Sequence, residues 1–217
     1  AQDVRAYFLT LQYWLAGSED NLTRMVSFLI HRYAAGPREV LRKIAGEEPP
    51  IEYPDVGVYQ IEGRQRIVDS IDDLSAPDQH TGTVGLLLMR SYALAGNTRH
   101  YDAVIKAFEA RGLKVIPAFA AGLDARPAVK RFFMKQDQPI VDAVVSLTGF
   151  SLVGGPAYND TDAAQAMLAE LNVPYLAVQA LEFQSINQWR DSPMGLMPVE
   201  ATIMVAIPEL DGATGPM

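Results

Sequence analysis

The sequence predicts an α/β fold, a parallel sheet with flanking helices, on three observations. Short apolar runs recur through residues 81–180, stretches of helical spacing separate them, and capping residues fall at the changeovers. Runs that are apolar throughout belong to strands buried on both faces, as in a parallel sheet covered by helices on each side. A lobe of this kind is Rossmann- or flavodoxin-like.

Taken in order, residues 6–11 read as a strand, with a helix the near alternative. Ser18 stands where it can cap a helix whose first turn carries Glu19 and Asp20, acids that the helix dipole favours there. Leu22, Met25, Val26, Leu29 and Tyr33 follow at helical spacing, and Pro37 opens a second short helix over 38–45. Residues 1–47 thus read as the end of a preceding α/β lobe. Residues 48–80, with Pro49, Pro50, Pro54, Pro77 and many acids, read as a linker holding one short strand.

The regular lobe follows. Strands are expected at 83–89, 113–118, 141–147 and 173–178. Thr98 caps a helix with Tyr101, Val104, Ile105 and Phe108 on one face, and Gly112 ends it. Pro127 begins a helix through Met134. Asn159 or Asp160 caps another, with Ala164, Met167, Leu168 and Leu171 facing inward. Pro198 opens a last helix to about Ala206, so 181–217 reads as the start of a following, carboxylate-bearing segment.

Composition narrows the function. The formal charge is −8, from 18 Lys+Arg against 26 Asp+Glu, where a nucleic-acid binder would show a basic surplus. With no cysteine, disulfides, thiolate catalysis and Cys-ligated zinc are excluded, and a cytosol-like compartment fits. No apolar run reaches the length of a membrane span, which leaves at most peripheral membrane association. The start at Ala1-Gln2-Asp3 shows no signal peptide, and both ends read as cuts in a larger multidomain protein.

Open parallel sheets bind ligands at the carboxyl ends of their strands. The loop after the third strand of the lobe, 148–159, is long and mixes Gly149, Gly154 and Gly155 with Thr148, Ser151 and Asn159. Glycines let backbone approach a ligand closely, while Phe150 and Tyr158 can stack on a flat ring. A glycine-rich turn with two anchoring aromatics is the equal alternative. Glu182, Glu200, Glu209 and Asp211 gather near the carboxyl terminus, and Ile207-Pro-Glu-Leu-Asp-Gly212 is expected to break the preceding helix and present two acids from a tight turn. For an arbitrary sequence, solvated acids at a helix end are the commoner outcome. There is no Walker A loop, no Gly-x-Gly-x-x-Gly and no His-Glu-x-x-His. Gly149-Phe-Ser151-Leu-Val-Gly154 misses a nucleophile elbow by one place.

Several segments in this order resemble the large, tetrapyrrole-binding subunit of the magnesium chelatase and cobaltochelatase superfamily. They are Tyr13-Trp-Leu-Ala-Gly-Ser18, Gly85-Leu-Leu-Leu-Met-Arg90, Leu94-Ala-Gly-Asn-Thr98, residues 147–160 and residues 199–212. The resemblance implies insertion of Mg²⁺ into protoporphyrin IX, with ATP hydrolysed by a separate AAA+ ATPase subunit working with a bridging subunit. It also implies a bacterial cytoplasm, or a chloroplast stroma in a plant or alga. Mg²⁺ prefers oxygen ligands, and two pyrrole N–H protons must leave as it enters. Glu209 and Glu182 are therefore the candidates for metal delivery or proton acceptance. Asp211 is their support, and Glu209 with Asp211 is the candidate metal pair. Thr148, Gly149, Phe150, Ser151, Gly154, Gly155, Tyr158, Asn159 and His100 are the candidate tetrapyrrole contacts. A cobaltochelatase acting on a corrin precursor, and a tetrapyrrole-binding lobe without catalysis, are the alternatives.

Overall fold

The computed structural model describes residues 2–63, 66–74, 79–178, 181 and 183–214. They form two compact units, Ala1–Pro54 with Ser91–Asn97, and Asp55–Arg90 with Thr98–Met217.

In the first unit, α1 (Gln2–Ala16) and α2 (Glu19–Tyr33) pack as a helical hairpin. Ala6, Tyr13 and Phe28 are buried between them, with Leu9, Met25 and Leu29 against them. The strand expected at 6–11 is therefore helix. Ala6, Leu9 and Tyr13 share one helical face, a pattern that a six-residue apolar window is too short to reveal. Ser18 caps α2 as expected, accepting from the Asn21 amide. Buried Asn21 then exchanges two hydrogen bonds with the Ile51 backbone, at 2.9 and 2.8 Å. A 3₁₀ turn, Gly36–Lys43, replaces the second expected helix.

The second unit begins with β1 (Val56–Tyr59), β2 (Ile67–Val68) and β3 (Gly82–Leu87). Then come α3 (Arg90–Leu94), where the chain passes through residues of the first unit, α4 (Arg99–Glu109), β4 (Leu113–Ala120) and α5 (Arg126–Phe132). A small hairpin, β5 (Met134–Lys135) with β6 (Gln138–Pro139), leads to β7 (Ala143–Ser146). A second hairpin, β8 (Gly154–Gly155) with β9 (Tyr158–Asn159), precedes α6 (Thr161–Leu171) and β10 (Tyr175–Ala177). After α7 (Ile186–Asp191), one continuous helical stretch holds α8 (Pro198–Glu200), a π-helical segment Ala201–Ala206 and α9 (Ile207–Asp211).

The six-stranded sheet runs β10-β7-β3-β4-β1-β2. The four strands expected from the apolar runs are the parallel ones: β3 pairs with β4 and β7, and β10 with β7. β1 and β2 add antiparallel at the β4 edge, Val58 opposite Ala118 and Val68 opposite Val58. Residues 48–80 are thus more than a linker. Their strands are so short, and so closely flanked by Pro and acids, that the apolar signal is lost. The core joins Leu87, Ile116, Phe133, Val144, Leu152, Met167, Leu171 and Tyr175; fully burying one such aliphatic or aromatic side chain contributes about 1.5–3 kcal/mol. Gly85 leaves the space for one of them, since a Cβ there would stand 2.8 Å from the Phe133 ring.

Candidate functional site

The parallel strand order sends the connections after β3 and β7 to opposite sides, which makes the carboxyl ends of these two strands the crevice where such folds bind ligands. The glycine-rich loop follows β7 and lies there, as expected. Three chain segments line the crevice: Leu87–Met89 after β3, Phe119–Ala125 at the end of β4, and Thr148–Gly154 after β7.

The last two are zipped together by backbone hydrogen bonds. Ala125 N–H donates to Leu152 O at 3.0 Å, and Gly154 N–H to Leu123 O at 2.7 Å. Asp124 bridges to Val153 and holds the Arg126 guanidinium at 2.7 Å, which keeps its carboxyl below the usual range. The cavity that remains is about 20 Å³, room for a water but not for a tetrapyrrole.

The loop glycines are explained by the chain itself. Gly154 has φ +123, and a Cβ on it would stand 2.3 Å from Tyr158 O across the β8–β9 hairpin. On Gly155 a Cβ would meet the Leu123 side chain at 2.5 Å. Gly149 has φ +76, which favours glycine whatever lies nearby. Thr148 shares a 3.0 Å hydroxyl contact with Ser146, Phe150 is half-buried, and Asn159 donates to the Thr161 hydroxyl at 2.8 Å. Tyr158 is 70% exposed. His100 sits on the first turn of α4 with its ring 3.9 Å from that of Tyr101, and it does not line the crevice.

The carboxylates divide sharply. The helix does not break at Pro208: it continues through α9 to Gly212, whose φ of +99 ends it. Asp211, 1% exposed, is wholly engaged by the loop, accepting from the Ser151 hydroxyl at 2.9 Å and the Leu152 amide at 2.6 Å. Burial pushes its carboxyl above the usual range, against the pull of those two donors. Glu209 is exposed. Two positions apart on a helix is about 200°, so Glu209 and Asp211 face opposite ways and do not form the expected pair on a tight turn. Glu182 lies outside the described residues. Among the described residues no cluster of three His, Asp or Glu side chains is arranged to hold a metal.

One acid stands out that the sequence placed in the group without a role. Glu200 is fully buried: its Oε2 accepts from the Met197 amide and from Gln184 Nε2, both at 2.9 Å, and Oε1 has no partner among the described residues. Its place in the first turn after Pro198 is legible in the sequence; its burial is not. A separate hollow of about 260 Å³ lies beside α4 and β4, lined by Tyr59, Glu62, Lys106 and Glu109 and by none of the predicted contacts.

No helix among the described residues is long and apolar enough to cross a membrane. The family model described as CobN/Magnesium Chelatase matches residues 11–217. The magnesium-chelatase H-subunit of Cereibacter sphaeroides is 54% identical over 216 residues, covering 100% of this chain and 18% of that protein. The chloroplastic magnesium-chelatase protein ChlH of Oryza sativa subsp. indica is 40% identical over 232 residues, covering 100% of this chain and 16% of that protein. The aerobic cobaltochelatase protein CobN of Sinorhizobium sp is 33% identical over 130 residues, covering 60% of this chain and 10% of that protein. Among solved structures, the catalytic subunit of cobaltochelatase from Mycobacterium tuberculosis superposes with a TM-score of 0.67 at 26% identity, over 96% of this chain and 16% of that one. With a family model spanning nearly all its residues, the chain belongs to the CobN/magnesium chelatase family.

Proposed function

We propose that the protein carrying this chain inserts Mg²⁺ into protoporphyrin IX, as the tetrapyrrole-binding catalytic subunit of a magnesium chelatase serving chlorophyll or bacteriochlorophyll synthesis. The observation that carries this reading is the 54% identity to a magnesium-chelatase H-subunit across the whole chain, against 33% over 60% of it for the cobaltochelatase protein. As the resemblance implies, ATP is hydrolysed by a AAA+ partner that works with a bridging subunit, a reading with which the lack of a Walker A loop in this sequence agrees. The complex works in a bacterial cytoplasm or a chloroplast stroma.

The chemistry asks for a flat apolar support, oxygen ligands for a hard dication and acceptors for two protons. The closed crevice holds no ring, so the tetrapyrrole lies across its mouth, against Phe150 and the exposed Tyr158. Glu209, exposed and with no role in the core, delivers Mg²⁺ or takes a proton, together with Glu182. Asp211 supports them by holding the loop.

The test is made on the intact subunit. Protoporphyrin IX is titrated in by fluorescence quenching, and the ATPase partners, ATP and Mg²⁺ are then added while Mg-porphyrin emission is followed. Saturable binding followed by ATP-dependent emission is expected. The structural likeness to a cobaltochelatase catalytic subunit favours a second reading, Co²⁺ insertion into a corrin precursor. Co²⁺ uptake by the corrin, with no binding of protoporphyrin, selects that reading. Porphyrin binding without insertion under any partner set leaves a binding lobe only.

A further inference from the structure

Glu200 has a chemistry that its place in the helix does not explain. As the third residue after Met197 it accepts the Met197 amide at the helix start through Oε2, and that oxygen also takes the Gln184 amide. Both donors go to one oxygen. The other, Oε1, is buried without any donor among the described residues. A carboxylate oxygen removed from water and left without a donor is costly, more so when charged, so native folds retain one where something else meets it. The next residues are π-helical, Ala201–Ala206, a rare wide turn that recurs at functional sites. The far end of the same helical stretch is pinned to the glycine-rich loop through Asp211, which fixes Glu200 relative to the switch-point crevice.

The 183–197 stretch supplies both donors to Glu200, Gln184 and Met197, and α7, between them in the sequence, buries no side chain. Phe183, Ile186 and Met194 on this stretch are 60%, 61% and 76% exposed, an apolar outer surface suited to a macrocycle.

We propose that Glu200 is a further catalytic residue, whose Oε1 takes one of the two pyrrole protons as the metal enters; the proposal rests on the metal-insertion reading above. The bound ring displaces the 183–197 cover and meets Oε1. The N–H bond breaks, its electron pair stays on nitrogen to bind Mg²⁺, and the proton passes to Oε1. The second pyrrole proton passes to solvent at the ring's open face. Glu200 then releases its proton to water when the metallated product leaves.

Glu200→Gln separates base from cap. The single carbonyl oxygen of glutamine can accept both existing donors, leaving the amide nitrogen where Oε1 stood. In the intact subunit with its ATPase partners, porphyrin affinity should stay within about twofold, while single-turnover insertion falls about 100-fold or more, the scale of a lost general base. Insertion by the Gln variant at the wild-type rate overturns the proposal and leaves Glu200 a cap. Should the Gln variant fail to fold, Glu200→Ala is assayed with and without added formate. Recovery of insertion by formate supports a missing base, and no recovery in a variant that still binds porphyrin overturns it. A wild-type subunit that inserts no Mg²⁺ would instead refute the metal-insertion reading itself, a distinguishable result.

Discussion

Removing the Asp211 carboxylate tests whether it is a clamp or a metal ligand. Asp211→Ala deletes two hydrogen bonds to a buried acid, at 2.9 and 2.6 Å. Each such bond contributes about 1.5–3 kcal/mol, and the Leu152 amide is left buried without an acceptor. Part of this is offset, because burying the carboxylate is itself unfavourable, as its raised pKa shows. A net loss of about 2–4 kcal/mol follows, or roughly 6–12 °C in melting temperature for a domain of this size. Asp211→Asn should cost less than about 1 kcal/mol. The amide oxygen can face Leu152 N–H and the amide nitrogen can donate to Ser151 Oγ, whose own proton then turns to Val153 O, 3.1 Å away. Thermal unfolding of the chain followed by circular dichroism measures both. The pH dependence carries a sign as well. Because the folded pKa lies above the unfolded value of about 3.9, the contribution of Asp211 is fully present below that value and is lost as pH rises through the folded pKa. The Asn variant should therefore gain on the wild type as pH rises across that window and then run parallel to it. An Asn variant as unstable as the Ala variant, or an Ala variant as stable as wild type, would refute the clamp. An Asn variant of native stability that inserts no metal would restore the metal-ligand role.

Gly154→Ala should destabilise the second unit by about 3 kcal/mol, since it combines φ +123 with a Cβ 2.3 Å from Tyr158 O; urea unfolding at the wild-type midpoint would contradict it. Glu209→Gln, on an exposed helical face, should shift stability by less than about 0.5 kcal/mol and leave porphyrin affinity unchanged. Insertion in the intact subunit should drop sharply, and a wild-type insertion rate would remove Glu209 from the chemistry. The chain alone should neither bind nor hydrolyse ATP, so isothermal titration that detects tight binding would count against a separate ATPase subunit.

What was legible in the sequence was the part governed by long apolar runs. The strands around Val84, Val115, Val144 and Leu176 are buried on both faces, and so are apolar at nearly every position. Their boundaries drifted because hydrogen bonding, not hydrophobicity, ends a strand. The strand after Val141, for example, begins only at Ala143. Of β1 and β2 the sequence suggested only one short strand, since four and two residues carry too little pattern. In the site, the loop's position followed from topology, but the purpose of its glycines did not. Gly154 and Gly155 are fixed by contacts with Tyr158 and Leu123, which are set by how two loops meet and by no local spacing.

The largest departure, at Pro208, decides how the acids can act. Proline has no N–H and its ring collides with the carbonyl four residues back, so a break is the natural expectation. The helix avoids it by widening: over Ala201–Ala206 the hydrogen bonds reach back five residues, and Ile207 N–H finds Thr202 O. Pro208 then enters α9 in its first turn, where no N–H is required. With the helix unbroken, angular position sorts the two acids of the motif. Asp211 is turned onto Ser151 and Leu152 and becomes part of the loop's support. Glu209 is turned outward and keeps its carboxylate available to a cation. Had the chain broken at Pro208 into a tight turn, both acids could have faced one ion, and the loop would have lost the only side-chain hydrogen bonds that Asp211 makes to it among the described residues. A motif that looks like a two-carboxylate metal site is thus, in this fold, one acid that holds the loop and one turned to solvent.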